Sequence, residues 1–433
     1  MEWTTAAVLL ALGLVLILLT NLPVAFAFGV LNLIAAWFLF GNVDALSFLV
    51  QAAYSSVANI YLTAVPFFVL MGTIFVRSQL AGVVLDLISK VFAGLRGSGA
   101  YTTVAGGVVL GALMGAGVTS TAVLGSTLIA ELRRRRYSKL LSVGTILGSG
   151  TLAVLIPPSL GAVLVGSLAG ISIPDLLLAG IGPAIVLTTL LCLLILVRTL
   201  FFEPDLDDPS ASGVSLRDRG VALLKLAPLM IPIFSVTGVI YFGIATATEA
   251  SATGALSTLI VAYAYRRFSW RDFYGMLKDA VVFSAMIMFI VVNSKAYSQI
   301  LAVTGISQGF ADLLSNSTGG PMMAVVAVLG IALLLGCFMD QTSVIFVTVP
   351  VLIGVTTKMN IDPVWLGTMF IVVVGTGAIT PPFGLSLFAV KGVAPPEITM
   401  QDIYRICIPF TLIEIATVAI VLFNPWIARI LIG

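Results

Sequence analysis

Asp340 stands between Leu333-Leu-Leu-Gly-Cys-Phe-Met339 and Thr342-Ser-Val-Ile-Phe346, a carboxyl inside an apolar run. A charge at that depth in a membrane is expensive and usually functional, although the same side chain could also cap a helix at a hairpin tip. Hydroxyl-rich interruptions recur in apolar surroundings: Thr119, Ser120 and Thr121; Gly150 and Thr151; Thr342 and Ser343 beside Asp340; and Thr376, Gly377 and Thr380. Hydroxyl oxygens and backbone carbonyls freed at a helix break are hard ligands, and they suit Na⁺. These residues are the candidate sodium ligands. Two diprolines, Pro157-Pro158 followed by Ser159, and Pro381-Pro382, interrupt later segments. Half-helix N-termini present N–H groups and a positive dipole end, which suits a carboxylate. Pro157, Pro158, Ser159, Pro381 and Pro382 are therefore the candidate substrate-binding positions. Taken singly, a Thr-Ser-Thr run is usually close helix packing and a proline usually a kink. Their recurrence in mirrored places favours a site, because unwound backbone at membrane depth is costly unless protein, water or an ion meets it.

The elements that position these residues must be membrane helices. Of 433 residues 60% are hydrophobic and 9% charged, and the mean hydropathy is +1.16. Soluble chains carry roughly 25% charged residues. The apolar runs reach the roughly 20 residues that span a bilayer, and the alternation of a barrel strand is absent. The fold expected is an all-α polytopic membrane protein embedded in the lipid bilayer. Net charge +2, with no basic tail, excludes a nucleic-acid partner. The chain has no histidine, and its cysteines, Cys192, Cys337 and Cys407, have no metal spacing. No Ser/Lys or paired-Asp constellation supports an intramembrane enzyme. Neither an organic cofactor nor a metal other than sodium is expected.

Apolar segments read near 3–20, 22–40 and 45–76, followed by an amphipathic stretch at 80–96. An interrupted segment follows at 98–132, a second at 140–170 broken at Gly148–Thr151 and at Pro157-Pro158, and a helix at 174–197. Residues 201–224 form a polar linker with Glu203, Pro204, Asp205, Asp207, Asp208, Pro209 and Ser210. The second half reads 226–246, 250–265, 273–295, 297–317, an interrupted 321–357, a broken 361–392 and a last helix at 404–430. Placing Gly115 over Gly336 sets Thr119 on Asp340 and Thr121 on Thr342, and Pro157-Pro158 over Pro381-Pro382 needs only a short gap. Residues 1–200 and 225–433 thus read as two repeats. Arg133, Arg134, Arg135, Arg136 and Lys139 follow the first interrupted segment, whereas Lys358 stands alone after the second. By the positive-inside rule the repeats are inverted. The segments 98–132 and 321–357 read as re-entrant hairpins with tips at Thr119–Thr121 and Asp340–Ser343, and both termini are expected outside the cytoplasm. Arg77, Lys90 and Arg96 read as interfacial snorkelling residues. Thr248-Glu249 reads as a helix start.

Several pieces in order resemble the large membrane subunit of tripartite ATP-independent periplasmic (TRAP) transporters. They are Val65-Pro-Phe-Phe-Val-Leu-Met-Gly72, Leu155-Ile-Pro-Pro-Ser159, Ala247-Thr-Glu-Ala250, Gly336-Cys-Phe-Met-Asp340, Ile361-Asp-Pro363 and Ile379-Thr-Pro-Pro-Phe-Gly384. The resemblance implies sodium-coupled import of small organic acids across a bacterial inner membrane by an elevator motion. It implies two protein partners, a periplasmic substrate-binding protein (P) and a separate small four-helix membrane subunit (Q). The chain departs from the family at the first tip, Gly115-Ala-Gly-Val-Thr-Ser-Thr121, and before Glu249, Ala245-Thr-Ala-Thr248. The alternative is a stand-alone sodium- or proton-coupled anion symporter that needs no binding protein. A fixed channel has no use for mirrored hairpins.

Overall fold

The computed structural model describes residues 2–18, 22, 24–40, 42–203, 214–315 and 320–432. Pro204, Asp205, Asp207, Asp208, Pro209 and Ser210 of the expected linker lie outside the described residues. Among the described residues the chain is helical, with no strand. Among the described residues five helices are long and apolar enough to cross a membrane, or up to seven if each bent pair counts as one span.

The first half runs α1 (Trp3–Leu18), α2 (Val24–Phe40), α3 (Asn42–Val57), α4 (Ala64–Arg77), α5 (Leu80–Phe92), α6 (Ser98–Met114), α7 (Gly117–Arg134), α8 (Leu140–Leu155), α9 (Leu160–Ala169) and α10 (Ile173–Phe202). The second runs α11 (Leu216–Tyr241), α12 (Ala247–Ala264), α13 (Trp270–Val303), α14 (Ile306–Ser315), α15 (Gly320–Gly336), α16 (Gln341–Met359), α17 (Pro363–Ala378), α18 (Leu385–Val393), α19 (Met400–Phe423) and α20 (Trp426–Arg429). In each half an antiparallel-reading helix pair, α6–α7 and α15–α16, precedes a broken helix, α8–α9 and α17–α18.

Several boundaries differ from the sequence reading, each for a local reason. The run 45–76 is not one helix. It ends at Val57 and resumes through a 3₁₀ turn at Ile60–Thr63, where the Asn59 amide donates to Ser167 Oγ at 3.0 Å. The helix expected to stop at 295 continues to Val303, since neither glycine nor proline occurs between Gly275 and Gly305. Residues 216–224 are helical and not linker: Ser215 and Asp218 form a capping box that starts α11. Gly148–Thr151 is not a wide break. The hydroxyls of Thr145, Ser149 and Thr151 bond back to carbonyls of their own helix, and α8 continues to Leu155. The real interruption is Ile156–Ser159, with a 41° bend between α8 and α9.

Burial is graded from outside to inside. Phe38, Phe201, Leu224 and Phe234 are exposed on the outer helices, an apolar belt that water would not tolerate and hydrocarbon does. In α17 every residue from Trp365 to Ala378 is buried, and α8 is buried from Leu141 to Leu155. The two broken helices are therefore the inner layer, packed by α6, α7, α10, α15 and α19.

Candidate functional site

The first turn is made by Gly115 and Ala116. Gly115 has φ 63°, the left-handed region that glycine enters without steric cost. A Cβ there would stand 2.7 Å from Pro158 O. Leu160 N donates to Gly115 O at 3.3 Å, so the hairpin turn is tied to the diproline loop. Thr119, Ser120 and Thr121, expected at the tip, instead occupy the first turns of α7. A helix needs no side-chain ligand to hold its backbone, so the turn falls on the two residues before it. Ser120 and Thr121 are buried and Thr119 is exposed. Thr121 Oγ1 donates to Gly117 O at 2.9 Å and packs directly on Gly150, where any added Cβ would collide with it. The expected pairing of this hairpin with Gly150 is thus present. Thr151 makes a different contact: its hydroxyl reaches Gly148 O at 2.8 Å and Glu414 Oε1 at 2.6 Å. Among the described residues Ser120 Oγ is buried without a hydrogen-bond partner.

The second turn follows the same plan with different side chains. Asp340 caps α16: Ser343 N donates to its Oδ2 at 3.1 Å, and the Ser343 hydroxyl donates to its Oδ1. Thr342 lies in the first turn beside them. Phe383 N donates to Cys337 O at 3.1 Å and ties this turn to the second diproline loop. Both diprolines are cis. Gly377 meets Gly336 backbone to backbone: a Cβ on Gly336 would lie 2.9 Å from Gly377 Cα. Thr376 Oγ1 donates to Val372 O at 3.0 Å and Thr380 Oγ1 to Thr376 O at 2.7 Å. Pro157, Pro158 and Ser159 are buried, Pro381 is half-buried and Pro382 is exposed.

The two halves meet at their turns. A Cβ on Gly117 would stand 3.0 Å from Gln341 Nε2, and that amide nitrogen is buried without a partner. Beside the first turn a cleft of about 330 Å³ opens toward α4 and α13, lined by Thr73, Arg77, Ala116, Thr119, Pro158 and Asp279. Arg77 forms an ion pair with Asp279 across it; its guanidinium is not simply an interfacial anchor. The helix does start at this turn, but its cap is Thr246 and not Thr248, which lies inside the first turn: the Thr246 hydroxyl accepts from Glu249 N at 3.3 Å. The hydrogen bonds from Thr246 hold the Glu249 carboxyl below its ordinary range.

Gln341, Asp279 and Glu414 were not singled out in the sequence, and Arg77 was read there only as an interfacial residue. Gln341 carried no signal beyond its neighbour Asp340. Arg77 and Asp279 are far apart in sequence and become a pair only in the fold. Glu414 did carry a signal, a lone acid in Thr411-Leu-Ile-Glu-Ile-Ala416, the same pattern that singles out Asp340. Among the described residues no cluster of three histidine, cysteine or acidic side chains could hold a transition metal. The arrangement is a set of hydroxyls, carbonyls, amide and carboxyl groups around two helix interruptions, suited to holding small cations and a polar solute rather than to bond-breaking chemistry.

Residues 11–427 match the family described as tripartite ATP-independent periplasmic transporter, DctM component. Over 99% of its length the chain is 27% identical to the ectoine TRAP transporter large permease protein TeaC of Halomonas elongata, covering 98% of that protein. It is 27% identical, over 98% of its length, to the C4-dicarboxylate TRAP transporter large permease protein DctM of Vibrio cholerae, covering 96% of it. In fold it is similar to the crystal structure of the YdaH transporter of Alcanivorax borkumensis, with a TM-score of 0.63, 16% identity and 88% of each chain covered.

Proposed function

The chain belongs to the DctM component family of tripartite ATP-independent periplasmic transporters, and from that premise we propose that it imports small organic acids across a bacterial inner membrane, driven by sodium. It is a multi-pass transporter subunit and not an enzyme. A periplasmic binding protein hands over the substrate, and a small four-helix membrane subunit completes the permease. The relatives are named for ectoine and for C4-dicarboxylates, and each of those molecules carries a carboxylate.

The observation that carries the reading is the pair of matching ties, Leu160 N to Gly115 O and Phe383 N to Cys337 O. Each half couples a hairpin turn to a diproline loop, and the two turns touch through Gly117 and Gln341. In this reading the halves are inverted with respect to each other, with both termini periplasmic, and the clustering of arginines after the first hairpin supports it. Ser120, Thr121, Gly150 and Thr151 hold sodium in the first half together with Thr119. Asp340, Thr342, Ser343, Thr376, Gly377 and Thr380 hold it in the second. The substrate carboxylate rests against the loops at Pro157, Pro158, Ser159, Pro381 and Pro382, where helix N-termini offer N–H groups. Hairpins and broken helices move as one body, in elevator fashion, against the outer helices.

Uptake in proteoliposomes tests this. Purified chain, with its small subunit and cognate binding protein, is given an inward sodium gradient and a panel of labelled organic acids. Accumulation that needs both sodium and the binding protein supports the reading. Accumulation without the binding protein, or on a proton gradient alone, replaces it with a stand-alone symporter.

A further inference from the structure

The cleft of about 330 Å³ beside the first hairpin turn has two unlike walls. One is made by Gly115, Ala116 and Thr119 at the turn and by Pro158 and Leu160 at the diproline loop. The other, on α4 and α13, carries Arg77 and Asp279, the charged side chains among the residues that line the cleft. Thr73 and Thr119 add neutral hydroxyls, and the remaining lining is apolar or glycine.

Asp279 stands eight residues beyond Arg271, about 12 Å along α13. Charges at such a depth in a spanning helix face water or a solute rather than lipid. Arg77 and Asp279 are 46% and 48% exposed, so the pair is open to the cleft. An ion pair this exposed adds little to stability, and its partners are exchanged at small cost. The guanidinium is nonetheless held in place. A Cβ on Gly275, one helical turn before Asp279, would stand 2.9 Å from Arg77 Nη1. The missing side chain lets the guanidinium lie against α13, with Nη1 over Gly275 and Nη2 on the Asp279 carboxylate.

Charge balance then selects the solute. The pair is net neutral. A dianion brought against it gains a contact with Arg77 but meets a like charge at Asp279, in a cleft whose largely apolar walls screen that repulsion poorly. A solute with one carboxylate and one cationic nitrogen satisfies both groups. Its carboxylate, placed above against the Pro158 loop, takes the Arg77 fork across the cleft. Its cation takes the Asp279 carboxylate. Each protein charge exchanges one partner for another, and neither is left unpaired.

We propose that Arg77 and Asp279 form a charge filter in this cleft, and that the solute it takes is a zwitterionic carboxylate, a small acid that also bears a cationic nitrogen. The filter rests on the organic-acid import proposed above and narrows its substrate class. Arg77 binds the carboxylate, and Asp279 rejects a second negative charge.

Heat stabilisation of the purified chain with its small subunit, without binding protein, tests the filter, because a bound ligand raises the unfolding midpoint. The probes are glycine betaine, proline and a cyclic amidine carboxylate, set against succinate and malate. The wild type is expected to be stabilised by at least one zwitterion and by neither dicarboxylate. In Asp279→Asn the order inverts: succinate binds about tenfold tighter than to the wild type, and the zwitterion about tenfold more weakly. Arg77→Gln binds neither kind. Where a single variant is too unstable to read, Arg77→Gln/Asp279→Asn removes both charges, leaves none unpaired and is expected to fold without its preference for zwitterions. A merely structural pair would lower the midpoints of the ligand-free single variants and leave the order of ligands as it was in every variant, which overturns the filter. Wild-type stabilisation by a dicarboxylate as strong as that by any zwitterion, or by no zwitterion at all, also overturns it. The uptake assay above judges import separately: accumulation of dicarboxylates in preference to zwitterions keeps import and removes the filter.

Discussion

Between α8 and α9, Pro157, Pro158 and Ser159 are all buried, and Ser159 Oγ accepts from Ala162 N at 3.2 Å to cap α9. Between α17 and α18, Pro382 and Phe383 face outward, and Gly384 stands at the cap with no side chain to offer. The hairpin turns differ in the same sense. The first is fixed by shape, with Gly115 wedged against Pro158 O; the second is fixed by a charge, with Asp340 holding Ser343. One backbone plan is thus held sterically in the first half and by polar groups in the second. Where the loop is open, the fold needs a hydrogen-bonding side chain to keep the turn in place. Where it is sealed, neighbouring backbone does the work.

That contrast is sharpest at the turn glycine. Gly115→Ala forces a side chain into the left-handed region and against Pro158 O, and the protein is expected to lose about 3 kcal/mol of stability, read as a lowered unfolding midpoint in detergent. Gly336→Ala, at the equivalent position in a helix of ordinary conformation, is expected to lose less. A larger loss at Gly336 would mean that the backbone contact with Gly377, and not the turn, is the tighter constraint. The next effect concerns charge. Asp340→Asn keeps a capping oxygen, so stability changes little, but half-saturating sodium for uptake is expected to rise about tenfold, equivalent to about 1.4 kcal/mol. Thr119→Ala, at the position that the repeat sets over Asp340, is expected to raise it only about twofold, because it removes one exposed neutral hydroxyl and not a carboxyl. Equal effects at the two positions would remove the asymmetry. The smallest difference is in the loops. Ser159→Ala is expected to cost about 1 kcal/mol as a lost cap, whereas Phe383→Ala, on the open loop, stays within about 0.5 kcal/mol. Both are read from the same unfolding midpoints.

Much of this was legible in the residues. The apolar runs, the diprolines and the isolated Asp340 are one-dimensional signals: each needs only the local chain and the bilayer to have a consequence. The hairpin turns were displaced by a few residues because hydroxyls at Thr119–Thr121 are as content in a first helical turn as in a loop. The break expected at Gly148–Thr151 closed up because Thr145, Ser149 and Thr151 satisfy themselves on their own helix. Small polar residues in membrane helices mark either packing or unwinding, and the sequence pattern is the same for both. Glu414 was as visible as Asp340, yet no repeat partner drew attention to it.

By itself the sequence determined that this chain is helical and membrane-embedded, since composition and run length act on each segment separately. Only the tertiary structure decided which side chains meet. It set Thr121 on Gly150, brought Gln341 to Gly117, paired Arg77 with Asp279 and placed Glu414 between Thr151 and Thr376. Those encounters join residues from tens to more than two hundred positions apart, and they depend on how helices of nearly uniform hydrophobicity pack. In lipid that choice follows from glycine-sized gaps and a few polar contacts rather than from hydropathy.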